Sequence, residues 1–171
     1  PAWSRLIEVP DVYEERRESS TWHVLDTLGR LTELGAEPVG TILCVHGNPT
    51  WSYLWRRLLT DSIEQARTGG EAWRVIAVDQ LGMGFSQHDA GSDPRRTLED
   101  RVADLGRLTD ELGLTGAVVT LGHDWGGVIS LGWALDHPDL LAGVAVLNTA
   151  VHQPESDPIP APLRLTLQGP V

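Results

Sequence analysis

The sequence predicts an α/β protein, a mostly parallel sheet with helices on both faces. Three observations predict it. Continuous apolar runs recur at residues 41–45, 75–78, 117–121 and 144–147, the pattern of strands buried on both faces. Segments with helical spacing alternate with them. Loops bearing Gly, His, Asn and Asp follow three of the runs, and in such sheets ligands bind beyond the carboxyl ends of the strands.

The elements follow in order. Residues 1–20 form a polar N-terminal segment with an edge strand near 3–9, then solvated chain carrying Glu14, Glu15, Arg16, Arg17 and Glu18. Residues 22–25 make a second strand, and 35–40 a turn-rich connector around Pro38. Strand 41–45 contains Cys44, the sole cysteine, which reads as a small core residue and excludes an internal disulfide. A helix over 53–66 places Leu54, Leu58 and Ile63 on one stripe, and strand 75–78 follows. The strongest helical pattern is 97–112. Leu98, Val102, Leu105, Leu108 and Leu112 form one stripe, and Thr97 with Asp100 is a capping box. Strand 117–121, a helix over 128–135 and strand 144–147 complete the pattern, and from His152 the chain is proline-rich and aperiodic. Residues 21–171 read as the N-terminal part of one domain, with the last strands expected in a longer chain.

Composition narrows the function. The 171 residues carry a formal charge of −11, which argues against a nucleic-acid partner. All basic side chains are Arg. No run is long enough to span a membrane, nothing at the start resembles a secretory leader, and a cytoplasmic location is the default expectation. No metal-ligand or cofactor motif occurs.

Three motifs carry chemistry. Gly122, His123, Asp124, Trp125, Gly126 and Gly127 lie between a strand and a helix. Small residues flanking a central nucleophile define a tight elbow that lifts the central side chain above the sheet. It also turns the next N–H, that of Trp125, toward the site. By itself the pattern also fits, less well, an ordinary Asp N-cap. His46, Gly47, Asn48 and Pro49 follow the first buried strand, and alone they read as a polar turn. Residues 79–86, Asp79 to Ser86, include Gly82 and Gly84 and alone read as a glycine-rich loop. All three together, each at a strand end, favour an active site.

These residues resemble the haloalkane dehalogenase-like family of α/β-hydrolases, over about residues 22–167. The segment from His46 to Arg56 is similar to that family's oxyanion-hole segment, and Gly122 to Gly127 to its elbow. The resemblance implies the α/β-hydrolase fold, with the helical cap and last strands missing from this chain. It implies Asp124 as nucleophile, with the Asn48 amide and Trp125 indole holding the leaving group. His46, Gly47, Pro49, Gly122, His123 and Gly126 are the supporting residues. The chemistry suits the residue types. Attack on an sp³ carbon by Ser would leave a stable ether, whereas a carboxylate forms an ester that water cleaves. The backbone N–H groups of Asn48 and Trp125 would then serve the developing oxyanion.

The resemblance implies no cofactor and a small apolar substrate. Leu147, Asn148, Thr149 and Ala150, followed by Pro158, Ile159, Pro160, Leu163 and Arg164, look like the β-lactone decarboxylases of long-chain olefin biosynthesis. Residues 22–26 resemble forms fused to an acyl-CoA-synthetase-like domain. Haloalkane dehalogenase is the alternative. Epoxide hydrolase ranks third, because that subtype usually carries a bulky apolar residue in place of Asn48, and a catalytically silent binding module is the non-enzymatic alternative.

The general base and its acid are expected outside this chain. None of the six histidines follows a final strand. His46 and His123 are expected to position backbone, His137 to end a helix, and His23, His88 and His152 have no evident partner. Asn148 stands where some relatives carry the acid, so this chain alone is expected to be inactive.

Overall fold

The computed structural model describes residues 3–11, 19–88 and 96–150. Among them six strands form one sheet: β1 (Ser4–Pro10), β2 (Ser19–Asp26), β3 (Gly40–Val45), β4 (Trp73–Val78), β5 (Val118–His123) and β6 (Leu141–Leu147). Their order is β1-β2-β4-β3-β5-β6. β3 pairs in parallel with β4 and β5, and β5 with β6, while β2 pairs antiparallel with β1 and β4. Helices α1 (Leu28–Glu33), α2 (Arg56–Arg67), α3 (Leu98–Glu111) and α4 (Trp125–Asp136) connect them. The expected mostly parallel sheet with helices is therefore the observed fold. The run at 14–18 and the chain from His152 lie outside the described residues.

Alternation along each central strand divides the core. Leu43, Val45, Ile76 and Val78 face a cluster completed by Leu105 and Leu108 of α3 and Ile129 and Trp133 of α4. Cys44, Val75 and Ala77 face the other side, against Trp55 and Leu59. A parallel sheet covered on both faces needs apolar residues at successive positions, which explains the unbroken runs. Cys44 is fully buried, and burial pushes its thiol pKa far up.

Several elements depart from the sequence reading. The expected helix over 53–66 is a 3₁₀ turn, Ser52–Trp55, followed by α2. Its buried positions are Ser52, Trp55, Leu59 and Ser62, while Leu58 and Ile63 are partly buried and Leu54 is exposed. α1 has no counterpart in the sequence pattern; it buries only Leu31 and has no side-chain cap. α4 starts at Trp125, three residues early, and β6 at Leu141. The capping box of α3 forms as expected, with Thr97 Oγ1 accepting from the Asp100 N–H and the Asp100 carboxylate accepting from the Thr97 N–H. Leu98 is nevertheless exposed at the head of its stripe.

α3 and α4 cross closely because Gly132 has no side chain; a Cβ there would stand 2.5 Å from Val102. Trp133 fills the contact, donating its indole N–H to Thr109 Oγ1 at 2.9 Å and stacking on His137. On the far side of the sheet, Val144, Val146 and Leu147 stand open on β6, which is a sheet edge among the described residues.

Arg96 ties α3 to the end of β1. It donates to both oxygens of Asp104, at 3.0 and 2.8 Å, and to Asp11 Oδ2 at 3.0 Å. Burial pushes the Asp104 pKa up to about 7 from 3.8; the Arg96 charge opposes this and the nearby Asp11 carboxylate adds to it. The folded protein thus favours protonated Asp104 more than the unfolded chain does. That contribution is complete below about pH 4 and is lost as pH rises through about 7. In the full-length protein, thermal melting is expected to fall over this window, and Asp104→Asn to flatten that part of the profile. An unchanged slope in Asp104→Asn would refute the assignment.

Candidate active site

The strand order creates the site. The chain runs from β3 outward to β4, then passes back over β3 to β5, so β3 and β5 are neighbours whose successors lie in opposite directions. A crevice opens at the carboxyl ends of strands at such a reversal. β3 delivers His46, Gly47, Asn48 and Pro49 to one lip, and β5 delivers Gly122, His123 and Asp124 to the other.

Asp124 occupies a sharp strand-to-helix turn with φ 55° and ψ −129°. A non-glycine residue in that region costs of order 1–3 kcal/mol and persists only where its surroundings hold it. Here three hydrogen bonds do so. The Asp124 N–H donates to Leu147 O at 3.1 Å; its carbonyl accepts from the Gly127 N–H at 2.9 Å and from Thr149 Oγ1 at 2.7 Å. The side chain makes no capping bond to α4, so the N-cap alternative does not describe it. Instead Oδ1 accepts the Asn48 N–H at 3.0 Å, across 76 positions of sequence.

Close approach explains the glycines. A Cβ on Gly47 would collide with Asp124 Oδ1, and one on Gly126 with the Val45 carbonyl oxygen. On Gly122 it would meet the Gly126 carbonyl at 2.5 Å, and on Gly127 Thr149 Oγ1 at 2.5 Å. The elbow is therefore pressed against the end of β3, with Thr149 behind it. The Asn48–Pro49 peptide is cis.

Asn48 and Trp125 share the wall of a cavity of about 230 Å³ with Gln80, Met83, Arg96, Leu98 and Arg101. Trp125 heads α4 and is about half exposed. The structure thus brings Asn48 and Trp125 to one cavity, beside Asp124, which bonds the Asn48 N–H and does not itself line the cavity. A larger groove of about 970 Å³ lies between the β1–β2 hairpin and α2, lined by Trp3, Leu25, Trp51, Tyr53 and Phe85 among others. None of Asp124, Asn48 and Trp125 lines it.

His46 is a strut. His46 is fully buried, with Nδ1 bonded to Gly47 O at 2.8 Å and Nε2 accepting the Gln80 N–H at 3.0 Å. The Gln80 amide returns a bond to His46 O. Burial pushes its pKa down, against the opposing pull of the Gly47 bond and Asp79. A neutral imidazole donating at one nitrogen and accepting at the other fits this position. His123 precedes the elbow, and its Nδ1 is buried without a hydrogen bond among the described residues. His137 bonds Trp133 O and His88 bonds Gly84 O. His23, which shows no partner in sequence, bonds Asp79 Oδ2 and Ser4 Oγ, both at 2.8 Å. His152 lies outside the described residues. Asn148 sits at the end of β6 with φ 46°.

The structural roles of two residues escape sequence reasoning. Buried Asp79 accepts from the Ser52 N–H at 2.6 Å and the Phe85 N–H at 2.8 Å as well as bonding His23, so one carboxylate organises two loops. Its place after a buried strand is the available signal. Thr149 supports the Asp124 carbonyl, and nothing local marks it.

Comparison with known proteins agrees with this architecture. The family model described as alpha/beta hydrolase fold matches residues 40–167. A cis-3-alkyl-4-alkyloxetan-2-one decarboxylase of Xanthomonas campestris pv. campestris is 40% identical over 125 residues, covering 70% of this chain and 39% of that protein. A haloalkane dehalogenase of Sphingobium indicum is 40% identical over 108 residues, covering 63% and 34%. The crystal structure of the haloalkane dehalogenase DatA from Agrobacterium tumefaciens C58 superposes with a TM-score of 0.60 at 27% identity, covering 85% of this chain and 41% of that one. The chain spans about two fifths of the length of the curated relatives it matches. No described helix is long and apolar enough to cross a membrane.

The glycine geometry is testable by contrast. Gly126→Ala is expected to destabilise the full-length protein by at least about 3 kcal/mol, since the clash is with backbone. Gly29→Ala, in α1 with nothing within 4 Å, is expected to change stability by less than about 1 kcal/mol. Equal denaturation midpoints for the two variants would contradict the packing described.

Proposed function

This chain belongs to the alpha/beta hydrolase fold family, and from that premise we propose that it carries the nucleophile of an enzyme that attacks an sp³ carbon through Asp124. One observation carries the reading: the Asp124 carboxylate is held on a strained turn toward the Asn48 N–H instead of capping its own helix. A side chain held this way is already oriented for attack, so little entropy remains to be lost on the way to the transition state.

The substrate we assign is a β-lactone, in a decarboxylase reaction. Support comes from the decarboxylase relative, which matches 70% of this chain at 40% identity, and from the resemblance around Asn148. Asp124 Oδ forms a bond to the ring carbon that bears oxygen, and that C–O bond breaks. The Asn48 amide and the Trp125 indole N–H hold the oxyanion that leaves; the indole offers a donor without an acceptor. Haloalkane dehalogenation is the second reading, favoured by the Asn48 and Trp125 pair facing one cavity and by the dehalogenase relatives. The two share the first step. In the second, water cleaves the ester in dehalogenation, whereas in decarboxylation the ester leaves as carbon dioxide departs.

Water activation needs a base. Among the described residues no histidine hydrogen-bonds Asp124, and His46 is committed at both ring nitrogens. For the dehalogenation reading we assign the base and its acid outside the described residues; because residues 1–171 span about two fifths of the relatives' length, we assign no turnover to them purified alone. Turnover by that fragment, lost in Asp124→Asn, would disprove this assignment.

The full-length protein is expected to form olefin from long-chain cis-β-lactones, and Asp124→Asn to lower the rate by roughly a thousandfold or more. In a single turnover in ¹⁸O-water, decarboxylation leaves Asp124 unlabelled, while dehalogenation places ¹⁸O in its carboxylate. Halide release with labelled Asp124 and no olefin would reverse the substrate assignment and keep the nucleophile.

A further inference from the structure

Arg101, near the start of α3, lines the same cavity of about 230 Å³ as Asn48 and Trp125. Among the described residues, the hydrogen bonds it makes go to neutral oxygens. Nη1 donates to Gln80 Oε1 at 3.2 Å and to the Leu81 carbonyl at 3.4 Å. Both are long beside a charge-assisted bond. Burial pushes the Arg101 pKa down; Asp104 and Asp100 pull it back, and Arg96 reinforces the lowering. Arg96, the other guanidinium on this wall, is engaged with Asp11 and Asp104. A partly buried guanidinium with neutral acceptors retains a planar fork of donors shaped for a carboxylate.

We propose that Arg101 binds the carboxylate set free when Asp124 opens a β-lactone ring, a role that rests on Asp124 being the nucleophile. A halide is a single atom, and the Asn48 amide and Trp125 indole suffice for it. A lactone opened at its sp³ carbon yields a carboxylate with two oxygens, and a third, charged donor beside the first two matches it. The electrons balance without water or a redox partner. Asp124 Oδ bonds to the sp³ carbon, and the C–O pair moves to the ring oxygen, completing the carboxylate. The bond from the carboxylate carbon to the adjacent ring carbon then breaks. Its pair forms the double bond, the ester C–O bond breaks, and Asp124 regains its charge. Carbon dioxide departs as a neutral molecule that a guanidinium does not hold. Arg101 therefore favours the opened intermediate over the closed lactone and the products.

Calorimetry on the full-length protein tests this with a long-chain 2-alkyl carboxylate and its methyl ester. The wild type is expected to bind the carboxylate at least about tenfold more tightly than the ester, the strength of a charge-assisted bidentate contact. Arg101→Gln should erase that preference and Arg101→Lys retain part of it, with ester binding preserved in both as the sign of an intact fold. A wild-type protein without the preference, or Arg101→Gln retaining it, overturns the proposal whatever becomes of Asp124. Wild-type olefin formation by Asp124→Asn overturns the nucleophile instead, and with it the step that creates this carboxylate.

Discussion

Gly126 rests against the backbone carbonyls of Val45 and His46, closer than any side chain would permit. That contact joins the start of α4 to the end of β3, and the rest of the site follows from it. With the elbow seated there, the Asp124 carboxylate lies within 3.0 Å of the Asn48 N–H. Backbone against backbone cannot yield as a flexible side chain can. The strained dihedrals of Asp124 are therefore set by its neighbours, and the elbow is stiff before any substrate arrives.

A second layer of buried polar groups holds the three loops in register. His46 and Gln80 exchange hydrogen bonds between the ends of β3 and β4. Asp79 satisfies N–H groups from the 3₁₀ turn and the glycine-rich loop, and it also holds His23 of β2. A Cβ on Gly84 would collide with that carboxylate, so the loop wraps it tightly. Each group would be costly if orphaned at this depth, and each has partners. His46 and His23 serve as struts, and the Asp124 carboxylate reaches across the crevice to the Asn48 N–H.

Legibility in sequence follows the range of the interactions. Strands β3 and β4 are readable because burial on both faces forces continuous apolar runs, and the cap of α3 because Thr97 and Asp100 act three positions apart. α1 is not readable: it has six residues, one buried side chain and no capping bond. The expected helix over 53–66 is readable only in part, because its first turn is 3₁₀ and places Ser52 and Trp55 inward where the pattern has Leu54. The partners of His23 lie 19 and 56 positions away, on β1 and just after β4, strands whose pairing no local pattern reveals.

The sequence by itself determined the alternation of strand and helix, the glycine-flanked elbow and the candidacy of Asp124, Asn48 and Trp125. All of these are written in spacings of a few residues. Only the tertiary structure decided that Asp124 turns to a backbone N–H in the loop after β3 rather than to its own helix. It alone brought Thr149 beneath the elbow and Arg101 to the wall shared by Asn48 and Trp125. The physical reason is the reversal of strand order between β3 and β5, which places groups 76 positions apart within one hydrogen bond.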